Sequence, residues 1–487
     1  MRTLTFAGGL LLFTALLSPT PAEAGATRTG PDSSDSPYLL PTAKGVKLQS
    51  ILTVGDAAEN GYRMVGKPDG LGAFDNYDGT FTLLMNHELP RVEGVIRRHG
   101  HIGAFVSRWI IDSDTLEVRS GEDLARQVLE PSETGGWAPI VLPMNRLCSA
   151  DLPRRGAFYD EETGAGTTAR LFLNGEEGVP GRAFAHVVDG PDAGSSYRLE
   201  SLGRADWENQ VTMPDTGAAT VVVGTDDSLG GQVYVYVGQK QTTGLDIERA
   251  GLVGGRLYGV VIDGIDNVVG ESDSTTLPEG GAPFRLVEIP GASEMNIPQL
   301  DRASQALGVS RMARPEDSAW HTVEPGGLYF ATTAGVTAIS RLWHLTFSDP
   351  SNVTAGGVAE IAVAGPAYDP LVTDQAGPRA MDNITVDRKG RVLIQEDSGN
   401  EPYLSGIYQY DPATGALQRI ATHDPARFLP QPGSDLMGEE SSGIIPARFL
   451  GSRRFLLTSM WHQPTNDVET FERGQLLLMK VPGRRVR

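Results

Sequence analysis

A single cysteine, Cys148, is all the thiol this chain has. One cysteine cannot form an internal disulfide. It is left to be buried, to pair with another molecule or to hold a metal. Cations are short as well: 41 Lys and Arg stand against 61 Asp and Glu, a formal charge of −20. Binding to a nucleic-acid backbone needs clustered Lys and Arg, so this balance argues against it. It suits a soluble exported protein or one that concentrates cations. No GxSxG elbow, Walker loop or HExxH pair occurs, which argues against the serine hydrolases, P-loop enzymes and zinc proteases that carry them. Past the N-terminus, no apolar run is long enough for a transmembrane helix, so no stable membrane anchor is expected.

What is present begins with "MRTLTFAGGLLLFTALLSPTPAEAG". A basic residue, Arg2, precedes an apolar run from Leu10 to Leu17, and Ala22-Glu23-Ala24 supplies a small-residue cleavage site. This predicts a secretory signal over residues 1–24 and a secreted or periplasmic protein. Residues 25–45 are rich in Pro, Ser and Gly and read as a flexible lead-in. Residues 46–487 are expected to form one domain.

That length exceeds what one compact core supports, so growth by repetition is expected. Six apolar strands are each followed by a loop and a second strand. The pairs are "TLLMNHE" and "AFVSRWIID", "ARLFLNGEE" and "RAFAHVVDG", "TVVVGTDD" and "QVYVYVG", "GLYFATTAG" and "SRLWHLTF", "RVLIQED" and "GIYQYDPATG", and "RFLLTSMWHQP" and "GQLLLMKVPG". Helical periodicity is sparse; "DLARQVLE" and "MNIPQLDRASQALGV" are the best candidates. The chain is therefore predicted to be an all-β, six-bladed β-propeller with loop insertions and few short helices.

The ends of the first strands carry the chemistry. They finish at Asn86-His87-Glu88, Glu176-Glu177, Asp227, Glu396-Asp397 and near His462. If equivalent ends share one face, these groups converge. Converging carboxylates repel one another and resist desolvation, and bound cations relieve both costs. Oxygen-rich clusters suit calcium. Further acids precede several of these strands: Glu208, Glu316 with Asp317, Asp382, and Glu439 with Glu440. Arg314, two residues before Glu316, offers a planar fork suited to phosphate oxygens. Asn86 and His87 are candidate substrate-binding groups.

Taken in order, "NHE", the lone Cys148 upstream of "GEE", "LGR…E", "DD" with "GGQVYVY", "RPED", "DN…VD…GR" and "QED" resemble the PhoX-type alkaline phosphatases. These are exported β-propeller enzymes that hydrolyse phosphate monoesters with calcium and iron. The resemblance implies that Cys148 is a thiolate ligand to iron, with Glu177 and Glu208 as carboxylate ligands of the iron and its neighbours. It implies that Arg314 grips phosphate and Glu316 holds calcium, while Asp382 with Glu396 or Asp397 completes the calcium shell. Glu88, Glu176, Asp227, Asp317 and His462 join the metal-ligand candidates. The partner implied is a small phosphorylated substrate, met by a monomer. Departures from the family pattern include the long segment between Cys148 and "GEE", "DWEN" in place of a His-Glu pair, and a signal without twin arginines; they point to a divergent branch. Two other readings stay open: a calcium-bound scaffold without catalysis, and a calcium-dependent lactonase or ester hydrolase using His87 or His462.

Overall fold

The computed structural model describes residues 25–335, 338–367, 377–399, 403–428 and 438–483. The expected signal segment lies outside them. The described chain is built of strands, with three short α-helices. Its strands fall into six successive antiparallel units. Four contain four consecutive strands each and the third contains five; the sixth is completed by Lys47–Thr53 from the N-terminal part of the chain. The third and fourth units are joined at their outer edges, where Ala282–Glu288 pairs with Gly357–Ala364, so they count as one nine-stranded sheet.

The six strand pairs legible in the sequence are the second and third strands of these units. The first strands, numbered here in chain order, are β1 (Pro68–Asp75), β2 (Leu147–Asp151), β3 (Trp207–Thr212), β4 (Pro315–Trp320), β5 (Met381–Val386) and β6 (Glu439–Glu440, resumed at Ile444–Pro446). Each lies beside the next, and β6 lies beside β1, so the six close a ring.

The core is divided in the same way. Six large apolar clusters each sit between two neighbouring units. A sheet sandwiched between two others buries both faces, so its strands lose the apolar–polar alternation and read as continuous runs. "TVVVG" and "VYVYV" are such runs: Val222, Tyr234 and Tyr236 face the second unit, and Val221, Val223, Val233 and Val235 face the fourth.

Two expectations change. "DLARQVLE" is no helix; Gln127–Pro131 is a strand pairing in parallel with Ser195–Arg198. Nor does 25–45 behave as a flexible lead-in. Ala26–Arg28 pairs with Lys47–Thr53, Leu39–Pro41 pairs with Ala416–His423, and Tyr38 is fully buried. The Pro- and Ser-rich composition hid the two short apolar anchors. The other helical candidate holds: Ile297–Ala306 is a helix, capped by Asn296, which accepts from the Gln299 backbone N–H at 3.1 Å.

Candidate metal centre

The second residue of every inner strand is a metal-ligand type. In order they are Asp69, Cys148, Glu208, Glu316, Asp382 and Glu440, all buried. In five of the six strands the pairing register shifts at this residue. Such bulges re-aim a side chain, here at the end of the ring where the inner strands begin. The facing strand supplies a second set one residue past the last pair: Glu88, Glu177, Asp227, Thr333, Asp397 and His462. Only Thr333 breaks the ionisable pattern; its hydroxyl donates to the Met381 carbonyl at 2.7 Å.

Two trios stand out. Donor atoms of Glu88, Cys148 and Glu177 lie within 4.8 Å of one another, as do those of Glu208, Asp227 and Glu316. The Cys148 thiol donates to Glu177 Oε2 at 3.2 Å, and Ser149 Oγ donates to Glu208 Oε1 at 2.6 Å. Burial, with Glu177 and the other nearby acids, pushes the Cys148 thiol well above its ordinary range. Burial also pushes Asp69, Glu208, Glu316 and Asp382 far upward, and the charges of neighbouring carboxylates push each one further. Asp69 Oδ1 is buried with no hydrogen-bond partner among the described residues. An orphaned carboxylate oxygen amid mutually repelling carboxylates is the environment a hard cation stabilises. Thiolate with two carboxylates suits a softer transition metal such as iron. The donor sets therefore fit both ions.

Three cations precede the ring at one repeated position. Lys67, Arg146 and Arg314 each stand two residues before a ring ligand, with φ of 48°, 33° and 59°. Left-handed backbone is costly for these residue types, so the turn that starts the strand has to hold it. Lys67 Nζ lies 2.9 Å from Glu88, and Arg146 Nε donates to Glu88 at 2.5 Å. Burial alone would raise the Glu88 carboxyl, but these two charges win and hold it at about 2. Arg146 also donates to Glu177 Oε1 at 2.7 Å. Arg314 donates from Nε and Nη2 to the two oxygens of Asp227, both at 2.8 Å, and lies 3.3 Å from Glu316. Arg146 and Arg314 keep about a third of their side chains exposed, so both can meet a ligand from solvent.

The ring brings together Glu88, Cys148, Glu177, Glu208, Asp227, Glu316, Asp382 and Asp397. Other predicted site residues have different tasks. Asn86 donates to the Cys148 carbonyl at 2.5 Å and accepts from Asn174, bracing β2. His87 is fully buried, bonded to the Gly66 carbonyl and Ser107 Oγ and stacked on Phe105. Both side chains are fully buried and bonded within the protein. Glu176 points away from its neighbour Glu177 and is bonded by Arg182 through two nitrogens, at 2.9 and 2.6 Å. Glu396 accepts from the Arg379 and Gly406 backbones, and Asp317 from Asn209, Ser318 and Ile384. His462 lies between Glu440 at 3.1 Å and Glu472 at 3.0 Å. Burial opposes its charge, but the two carboxylates raise it to about 10. Both ring nitrogens thus face carboxylates, which makes His462 a charge partner of Glu440.

Sequence reasoning missed Asp69, Lys67 and Arg146 as site residues. The signal was available: an acid or cysteine opening each short inner strand, with a basic residue two positions earlier in three of them. Beyond the ring, the far halves of the inner strands line an open pocket of about 590 Å³, with Asp151 and Trp320 in its wall.

Residues 188–427 match the family model for alkaline phosphatase PhoX. The match spans 240 of the chain's 487 residues, and the enzyme class it supports is phosphoric ester hydrolase. The matched stretch contains Glu208, Asp227, Arg314, Glu316, Asp382 and Asp397; the trio of Glu88, Cys148 and Glu177 lies before it. Among solved structures, PhoX of Pseudomonas fluorescens, in complex with the transition-state analogue vanadate, is similar. It is 14% identical with a TM-score of 0.67, over 94% of this chain and 98% of that one. The two share a fold. A gluconolactonase of Xanthomonas campestris is 11% identical with a TM-score of 0.38, over 95% of this chain and 98% of that one. A periplasmic gluconolactonase of Pseudomonas aeruginosa is 10% identical with a TM-score of 0.39, over 85% and 89% respectively. Scores this low do not bear on function. A search of curated proteins finds no match.

Proposed function

We propose that this protein is a PhoX-family enzyme that hydrolyses phosphate monoesters at the ring, with calcium and iron held there. The observation that carries the reading is the repeated second-residue pattern, which gathers six ligand-type side chains at one end of the closed ring of strands. Glu208, Asp227, Glu316, Asp382 and Asp69 would hold calcium. Cys148, Glu177 and Glu88 would hold iron. Such ions supply Lewis acidity toward phosphate oxygens.

The chain's own residues do the rest. Arg314 presents a two-nitrogen fork that matches two phosphate oxygens and stabilises charge gathering on them. Arg146 offers the same chemistry beside the Cys148 trio, and Lys67 adds a point charge. Ser149 orients Glu208 by donating to it, and Asn383 Nδ2 in turn donates to Ser149 at 2.5 Å. The six units are proposed to be the blades of one propeller over 46–487, in a monomer exported by its N-terminal signal.

Hydrolysis of an aryl phosphate, followed beside metal analysis of the purified protein, tests this reading. Turnover that depends on bound metal supports it. A metal-loaded protein that hydrolyses no phosphate monoester contradicts it.

A further inference from the structure

The two ends of the ring differ in what they show to solvent. Fourteen large hydrophobic residues are exposed among the described residues. Nine sit in loops at the ligand end: Val92, Ile96, Val141, Leu142, Val179, Leu229, Val268, Val269 and Val468. The opposite end has three: Tyr77, Val253 and Val323. Single exposed aliphatics need no explanation, but a concentration around one opening marks a binding surface.

The nearest of them are tied to the site by the chain itself. Val179 and Leu229 each stand two residues past a cluster carboxylate, Glu177 and Asp227, and are 66% and 79% exposed. Two residues of chain reach at most about 7 Å. Leu229 also bridges Ala313, the residue before Arg314. Arg91 Nη1 donates to the Val179 carbonyl at 3.0 Å, which sets the loop bearing Val92 against the loop bearing Val179. Arg311 Nε donates to the Gly230 carbonyl at 3.2 Å and its own carbonyl accepts from Glu271, drawing the Val268–Val269 loop beside Leu229. Arg146 and Arg314 both lie close enough to act on the charge of Asp227, so a phosphate seated between them would lie beside this aliphatic rim.

We infer that the alcohol portion of the substrate is apolar: the site takes phosphomonoesters of long alkyl or aryl alcohols in preference to those of small polyols. This rests on the phosphatase reading. A phosphate head has two negative charges for the cations to meet. An apolar tail gains by leaving water against Val179 and Leu229, where a sugar or glycerol gains nothing.

Ethyl phosphate and n-octyl phosphate isolate the effect, because their leaving alcohols are chemically alike and only the tail differs. The full-length, metal-loaded protein should show kcat/KM at least tenfold higher for octyl phosphate, measured below its micelle concentration. The double variant Val179→Ser, Leu229→Ser should bring that ratio near one while leaving turnover of ethyl phosphate within twofold. Single variants serve if the double variant is poorly folded. Calorimetric binding of ethyl and octyl phosphonate, which cannot be hydrolysed, reads the same preference without turnover. Equal kcat/KM and equal phosphonate affinities overturn the inference, as does a ratio unchanged in the variants. A strong octyl preference in binding with no ester hydrolysed overturns the phosphatase reading alone.

Discussion

Arg314 holds Asp227 through two parallel hydrogen bonds, both 2.8 Å long, from a backbone position with φ of 59°. A strained turn thus aims a guanidinium at a buried carboxylate while about a third of the side chain stays open to solvent. Read from sequence, Arg314 is a planar fork suited to phosphate oxygens. Its contacts with Asp227 and Glu316, both buried, give it two tasks.

Arg314→Ala should separate those tasks. Loss of the phosphate fork should lower kcat/KM by roughly a hundredfold, about 3 kcal/mol. In ion-free protein, Asp227 and Glu316 would lose their cation, and stability should fall by about 2 kcal/mol. Metal-loaded protein should melt near the parent temperature. Steady-state kinetics and thermal scans with and without chelator measure both effects; unchanged turnover would remove the phosphate-clamp role.

Cys148→Ser should discriminate a metal ligand from a core residue. Serine can still donate to Glu177, so the melting temperature of ion-free protein should move little. The soft ligand is lost, so iron content should drop while calcium content stays. A large stability loss with metal content intact would mean that Cys148 acts through packing alone.

How much of this was legible depended on burial. The second and third strands are sandwiched on both faces, so "TVVVG" or "FLLTSM" announces itself as a strand. The first strands are short and open on a charge, as in "WENQVT" and "PEDSAW", and charge at a strand start looks like a loop. The acids of Glu208, Glu316 and Asp382 were visible, but the inner strands that hold them were not. Asp69 was hidden because "KPDGLG" resembles a turn, although it opens an inner strand as Glu316 does. His462 and Glu176 look like ligands in sequence; only their partners, Glu440 with Glu472 and Arg182, show that they are already paired.

Asp151 gives a pH test away from the ring. Its carboxylate accepts from the Thr212 backbone at 2.8 Å, and burial raises it from its ordinary value to about 7. The folded chain therefore binds this proton more tightly than the unfolded chain. The cost of ionising Asp151 is absent below about pH 4 and complete above about pH 7. Asparagine keeps an acceptor for Thr212 and removes the charge. Asp151→Asn should be more stable than the parent at pH 8, by on the order of 2 kcal/mol, and no more stable at pH 4. Denaturant melts at the two pH values check this; equal differences at both would show that Asp151 ionises without penalty.

Ion removal should destabilise as well as inactivate. Asp69, Glu208, Glu316 and Asp382 repel one another when ionised, so stripping cations should lower the melting temperature, and more at pH 8 than at pH 5, where protons replace part of the lost charge. Thermal scans of stripped and loaded protein at both pH values read this directly. A melting temperature indifferent to chelator would rule out a stabilising cluster.

The most direct test of the ring as a metal-dependent phosphatase site is aryl phosphate hydrolysis in one preparation measured three ways: as purified, after complete chelation, and after calcium and iron are restored. Activity should vanish on chelation and return with the ions. Full activity in protein shown by elemental analysis to hold neither ion would contradict the account.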